Sequence, residues 1–173
     1  WLIHLDNQNN LQTDAVIVCS ANGTESLIKK LGYNRPIEAV LGQVISLYID
    51  DQQSWDGWPA VLSFNGVNLI PDKKQNKLLI GATVEPGTNA NALEMINMKS
   101  MYGNAPTWIN KAVINSQWKG LRARPKDRPA PLLEKLEEGL ILNTAHYKNG
   151  FLLAPACAEW VGENLFGNTI LSQ

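Results

Sequence analysis

The chain has 173 residues, of which 45% are apolar and 18% charged, and its formal net charge is −1. That supports a packed interior and excludes an intrinsically disordered polypeptide. A balance so close to zero gives no general attraction to nucleic acid or to an anionic membrane, and no apolar run approaches the roughly 20 residues needed to cross a bilayer.

Trp1 to Asp6 alternates as a strand, and Asn7 to Asn10 reads as the turn after it. Asp14 to Ala21, DAVIVCSA, is a continuous apolar run, the pattern of a strand buried on both faces. Asn22 to Glu25 forms a turn into a short helix, SLIKKLG, which Gly32 stops. Ile37 to Ile49 is a long strand pattern interrupted by Gly42, where a bend or close backbone approach is expected. Asp51 to Pro59 is a loop. AVLSF, VNLIP and KLLIGATV follow as three short strands, with turns at Asn65–Gly66 and at DKKQN, and Pro86–Gly87 ends the meander. Leu93, Ile96 and Met101 fit an amphipathic helix broken before Pro106, and TWINKA adds another turn. AVINSQWKGLRARP and LILNTA return as strands, and FLLAPACAEWVGENLF is the last helix, with Pro155 early in it. Many hairpin-connected strands and few helices make the fold class α+β, with a mixed, mostly antiparallel sheet.

Chemistry-bearing residues are few. Cys19 and Cys157 belong to no CxxC pair and read as reduced, buried thiols of a cytoplasmic protein. His4 and His146 are the only histidines, so no metal site is expected. No GxGxxG and no GxxxxGK[ST] occurs, so a complete nucleotide-binding unit is not in these residues. Six tryptophans are scattered through the chain and are expected mostly in the core, not as stacking platforms for bases. Lys126 and Arg128 read as a solvated loop face, whereas Arg122 follows the apolar stretch WKGL and belongs near a strand end. Asn143 to Cys157, NTAHYKNGFLLAPAC, is the most informative segment. A polar turn runs into an apolar helix whose first N–H groups would point at an anionic or flat ligand, and nearby arginines suit a carboxylate.

In order along the chain, DAVIVCSANGTESLIKKLG, VLGQVISL, IPDKKQNKLLIGATVEPG, WKGLRARP and AHYKNGFLLAPACA resemble the C-terminal portion of a D-amino-acid-oxidase-type flavoenzyme. The branch they resemble is the glycine oxidase of thiamine biosynthesis. The resemblance implies FAD as cofactor, with residues 1–36 a remnant of the FAD-binding domain. It makes 37–124 a sheet-rich substrate domain, and 125–173 the return to the FAD-binding domain. It implies hydride transfer from the α-carbon of a small amino acid or amine to flavin and then to oxygen. Because Trp1 opens directly into a strand, the expectation is a fragment of a longer parent, and because it has no phosphate loop it is expected to bind FAD weakly or not at all and to be inactive alone.

The same resemblance places Arg122 on the substrate carboxylate. It puts Lys148 where a second arginine is usual; lysine keeps the charge and loses the fork. Ala145, His146, Asn149, Gly150, Phe151 and Leu152 fall on the turn and helix start that face the flavin, and Ala21 and Gly42 belong with the cofactor-binding set. Asn68 and Val84 border the substrate pocket. Ala145 stands for a glycine usual in GHxRNG, and Ala21 for a glycine common after the first apolar strand. Two other readings stay open: a non-catalytic domain unable to hold FAD, and a related flavin dehydrogenase of another small acid. Neither nucleic acid nor membrane is an expected partner, and a homo-oligomer is left open.

Overall fold

The computed structural model describes residues 1–6, 9–49 and 55–167. It is an α+β protein of mostly antiparallel strands, with four α-helices among the described residues. The chain divides into two compact units, Trp1–Ala39 with Arg122–Gln173, and Val40–Leu121.

In the first unit, β1 (Leu2–His4) and β2 (Asn10–Gln12) form an antiparallel hairpin. Asn10 is therefore in a strand and not in the turn; Asn7 and Gln8 lie outside the described residues. β3 (Val16–Val18), β10 (Leu132–Glu137) and β11 (Leu140–Thr144) make a sheet in the order β10-β11-β3. β10 and β11 are antiparallel, whereas β3 runs parallel to β11, with Leu142 opposite Val18. The hairpin between β10 and β11 turns at Gly139, whose φ is +76°. A Cβ there would stand 2.6 Å from the Asp14 carbonyl oxygen, so both the conformation and the space call for glycine.

α1 (Thr24–Lys29) begins two residues before the expected helix, after a 3₁₀ turn at Ala21–Gly23, and ends at Lys29, short of the expected stop at Gly32, whose φ is +88°. α4 (Gly150–Phe166) closes the described chain. Val18, Ile28, Leu132, Leu140, Leu142, Ala123 and Ala145 form the buried core of this unit.

Two expectations fail here. β3 is not buried on both faces: it is the edge of its sheet among the described residues, and Ile17 is 41% exposed. Cys19, just past that edge, is exposed, although Cys157 on α4 is buried as expected; both are free thiols. A run of apolar residues records burial potential, not which neighbours cover it.

The second unit is built on a six-stranded sheet. Its path is β5 (Leu62–Phe64), β6 (Val67–Asp72), β7 (Lys77–Gly81), β4 (Ile37–Tyr48) and β8 (Glu85–Pro86), and β9 (Val113–Pro125) also pairs with β4. β4 runs unbroken through Gly42, which corrects the expected interruption. The two-residue turn at Asn65–Gly66 has both φ values positive, +47° and +76°, as the right-handed twist of a tight hairpin requires. Of the loop expected at 51–59, residues 51–54 lie outside the described residues.

α2 (Ala92–Lys99) and α3 (Thr107–Lys111) pack on this sheet, with Met98, Met101 and Ile109 buried among Ile45, Leu47, Leu69, Leu78 and Ile80. The side of α2 that goes inside is not the expected one, since Leu93 and Ile96 are 58% and 57% exposed while Met98 is sealed. Trp55, Trp58 and Trp108 meet edge to face, with centroids 5.3 to 6.4 Å apart, so these three are packing residues.

Candidate functional site

Two parallel strands in the first unit bring their carboxyl ends together, which is where open α/β sheets place ligands. β3 leads through Cys19 and Ser20 to Ala21, and β11 leads through Thr144 to Ala145. Both alanines lie in the left-handed region, with φ +49° and +51°, a conformation that costs an L-residue about 1–2 kcal/mol. The glycines that the resemblance led one to expect at these two positions would adopt it without that cost.

A chain of hydroxyls joins the two turns. Thr144 Oγ1 accepts the Ala21 N–H at 3.0 Å and lies 2.9 Å from Thr24 Oγ1, which in turn is 3.1 Å from Ser20 Oγ. Thr144 and Thr24 are buried, so their hydroxyl groups must be satisfied by one another. Nothing in the sequence pattern marked Thr144, because a threonine at the end of a strand is ordinary; only the parallel pairing makes it a clasp. Ala21→Gly is expected to stabilise the chain by up to about 1 kcal/mol, because relief of the left-handed strain exceeds the extra unfolded-state freedom at an exposed site. Ala145 is 1% exposed, so Ala145→Gly also loses a buried methyl and should give no gain. Thermal unfolding of the two variants checks the contrast, and equal shifts would refute it.

The turn after Ala145 is held against β9. Tyr147, also left-handed at φ +55°, donates its N–H to the Ala123 carbonyl at 3.0 Å. Ala123 is the neighbour of Arg122, so the turn and the strand bearing that arginine are tied directly. Arg122 is half-buried and makes a contact of its own. Arg124 pairs with Glu38 and stacks over the Tyr147 ring, its guanidinium carbon 5.4 Å from the centroid. The Lys148 ammonium lies 5.4 Å from the same centroid. Arg128, expected as a solvated cation, binds Glu134 at 3.1 Å, and Glu134 also receives Arg35. The Arg35 hydrogen bonds hold the Glu134 carboxyl below its usual range, so this trio is a structural brace.

α4 starts at Gly150 with Asn149 as N-cap, and the Asn149 side chain makes no capping bond. The N–H groups of the first turn therefore remain available to a ligand. Phe151 and Leu152 project from this turn almost fully exposed, at 99% and 79%. A Cβ on Gly150 would come within 3.3 Å of His146 Cβ, so the helix start is drawn tightly onto the turn. Burial pushes the His146 pKa down, which favours the neutral ring. Pro155 is the sixth residue of α4, beyond the uncapped first turn. Its missing N–H thus removes a bond that the helix would otherwise make, contrary to the placement expected from sequence.

An uncapped helix start, an exposed aromatic and aliphatic pair, and two backbone turns at parallel strand ends fit the edge of a flat anionic ring. Ala145, His146, Asn149, Gly150, Phe151, Leu152 and Lys148 are contiguous there, with Arg122 joined through Ala123 and Ala21 through Thr144.

The remaining expected residues belong to the second unit. Asn68 is exposed on β6 and accepts the Ser63 hydroxyl at 2.6 Å; Val84 is 46% exposed; Gly42 is buried in β4. A cleft of about 250 Å³ in this unit is lined by Gln43, Ala90, Gln117, Trp118 and Lys119, none of them singled out from sequence. Beside it lies a buried polar cluster that sequence reading also passed over. Gln43 Nε2 donates to Glu85 at 2.8 Å and to the Asn91 carbonyl at 2.9 Å, while the Asn91 N–H and the Thr83 hydroxyl also donate to Glu85.

The profile of a family described as FAD dependent oxidoreductase (DAO) matches residues 2–164. The chain is 29% identical over 163 residues to a glycine oxidase of Pseudomonas putida, a match covering 91% of this chain and 43% of that protein. It is 27% identical over 159 residues to a glycine oxidase of Bacillus subtilis, covering 90% and 42% respectively. The crystal structure of glycine oxidase from Geobacillus kaustophilus superposes with a TM-score of 0.75 at 25% identity, over 95% of this chain and 44% of that one. The chain thus spans less than half the length of the curated relatives it matches.

Proposed function

The chain belongs to the DAO family of FAD-dependent oxidoreductases, and from that footing we propose that it supplies the substrate-binding and ring-facing portion of an oxidase of a small amino acid or amine, in the manner of glycine oxidase. Residues 1–36 and 125–173 are then assigned to the FAD-binding side and 37–124 to the substrate domain. The observation that carries the reading is the hydrogen bond from Tyr147 N–H to the Ala123 carbonyl. It holds the turn that would face the ring beside the strand that carries Arg122.

Bound flavin would supply the hydride acceptor. Arg122 would grip the substrate carboxylate through its planar fork, fixing which way the α-carbon presents its hydrogen. The open N–H groups at Gly150 and its neighbours, with the positive end of the α4 dipole, would favour negative charge at the ring edge. Phe151 and Leu152 would cover apolar ring surface and exclude water. Neutral His146 would present no competing positive charge to the substrate amine. Asn68 and Val84 are assigned to the pocket wall, Ala21 and Gly42 to the cofactor side, and Lys148 to a supporting cation. We assign a cytoplasmic location from the two free thiols, Cys19 and Cys157.

Two measurements test this. A flavin-loaded protein carrying these residues is expected to lose its oxidised-flavin absorbance when glycine or sarcosine is added without oxygen, and to release peroxide when air is admitted. Bleaching without peroxide would favour the dehydrogenase reading, and no bleaching with any small amino acid would sink the oxidase reading. The 173 residues by themselves are expected to bind FAD more weakly than micromolar, because they contain no glycine-rich turn to cradle the pyrophosphate. Equilibrium dialysis giving micromolar or tighter binding would overturn that expectation.

A further inference from the structure

Trp118 differs from the packed tryptophans of the second unit. Trp55, Trp58 and Trp108 meet one another, whereas Trp118 on β9 is 50% exposed. It lines the cleft of about 250 Å³ together with Gln43, Ala90, Gln117 and Lys119. Gln43 is the fixed part of that lining. The residue is only 9% exposed, and its Nε2 spends both hydrogens, one on Glu85 and one on the Asn91 carbonyl. Both partners are acceptors, so the amide nitrogen must face them and the amide oxygen must face away. That oxygen has no donor among the described residues. The sealed side-chain atoms left without a partner are Trp55 Nε1 and Asn143 Oδ1, so the Gln43 oxygen is open to the cleft that Gln43 lines.

We propose that this cleft binds a small planar molecule whose edge carries an N–H beside a carbonyl, the pattern of a lactam or cyclic imide. The N–H donates to Gln43 Oε1, the carbonyl accepts from the Gln117 amide or the Lys119 ammonium, and the ring lies on the Trp118 indole. An aromatic face favours a flat partner, since stacking adds attraction beyond the area covered. The volume is below the ~300 Å³ at which drug-sized sites begin, which suits a single ring. The site is separate from the wall assigned to the substrate pocket. Side chains alternate across a strand, so Gln43 shares the face of Ile45 and Leu47, which are buried with Met98 of α2 and Ile109 of α3. Asn68 is in register with Gly81, which stands opposite Val44 on the other face.

The test titrates uracil and 1,3-dimethyluracil into the 173-residue chain and follows its NMR spectrum. The two rings have the same carbonyls, and only uracil has N–H groups. Uracil is expected to shift the signals of Gln43, Gln117, Trp118 and Lys119, and dimethyluracil to bind about threefold to tenfold more weakly, the net worth of one hydrogen bond in a half-open site. Trp118→Ala should weaken uracil about fivefold or more, the range for loss of an aromatic stacking partner. The comparison of the two compounds on the unaltered chain stands whether or not that variant folds. Uracil leaving these signals unmoved, or shifting residues elsewhere, would overturn the proposal. Equal binding of the two compounds would refute the role of the Gln43 oxygen and with it the lactam class. Sodium acetate shifting the same signals as strongly as uracil would show anion attraction to Lys119 alone and would also refute it.

Discussion

Arg122→Ala in the flavin-loaded enzyme is expected to lower kcat/KM for an amino-acid substrate by 2–5 kcal/mol of transition-state binding, about 30-fold to several thousand-fold. On the proposed pairing, the magnitude is that of truncating one partner of a charge pair and leaving the substrate carboxylate without it. A guanidinium fork supplies two parallel charge-assisted bonds, so Arg122→Lys should recover only part of the loss. An amine lacking a carboxylate should show little change, because the arginine has nothing to grip. Steady-state kinetics with the two substrate types separate the roles, and unfolding curves of the variant check that the fold survives. Equal losses for both would mean that Arg122 acts through the contact it already makes within the protein, and the substrate assignment would fall.

Glu85→Ala is expected to destabilise the 173-residue chain by about 3 kcal/mol or more. The Glu85 carboxylate is 5% exposed and receives the Gln43 amide, the Thr83 hydroxyl and the Asn91 N–H. Truncation leaves the buried Gln43 amide and Thr83 hydroxyl, and the part-buried Asn91 N–H, without this acceptor, each costing about 1–3 kcal/mol where water cannot reach it. Burial is the largest influence on this carboxyl and by itself would raise its pKa, yet the three donors outweigh it and hold the pKa below the usual value. The sign of the pH dependence follows. A folded pKa lower than the unfolded one stabilises the protein above the unfolded value, about 4.3 for glutamate, and that stability is lost as pH falls toward the folded value. Urea unfolding at neutral pH should therefore show the full difference between wild type and Glu85→Ala, and the two curves should converge in acid. A difference that stayed constant from pH 7 to pH 3 would show that Glu85 contributes packing and not charge.

What could be read from the residues alone followed local physics. The hairpins of the second unit were legible because Asn65–Gly66 and DKKQN carry the residues that tight turns demand. The long strand β9 was legible from its pattern, and α4 from an apolar run placed after a polar turn. The resemblance of WKGLRARP and AHYKNGFLLAPACA to family segments singled out Arg122 and the turn at Ala145–Gly150, and the structure ties those two segments through Ala123 and Tyr147. β2 and β10 were passed over because NLQ and LLEKLE carry weak alternation and owe their extended form to a partner strand.

The sequence by itself determined the element types wherever turn residues or hydrophobic period were strong, along with the chemistry available at the turn, since both depend on neighbours a few residues away. Tertiary structure alone decided which surfaces were covered and which distant groups met. Ile17 and Cys19 became exposed because β3 is an edge, and Leu93 and Ile96 because α2 turns its methionine side inward. Thr144 became a clasp because β3 and β11 run parallel, and Glu85 became a buried acceptor because the distant Gln43 joins its sequence neighbours Thr83 and Asn91 on it. Burial and hydrogen-bond closure depend on residues 40 to more than 100 positions apart, as with Gln43 and Thr83 or Ala21 and Thr144, and no local pattern carries that information.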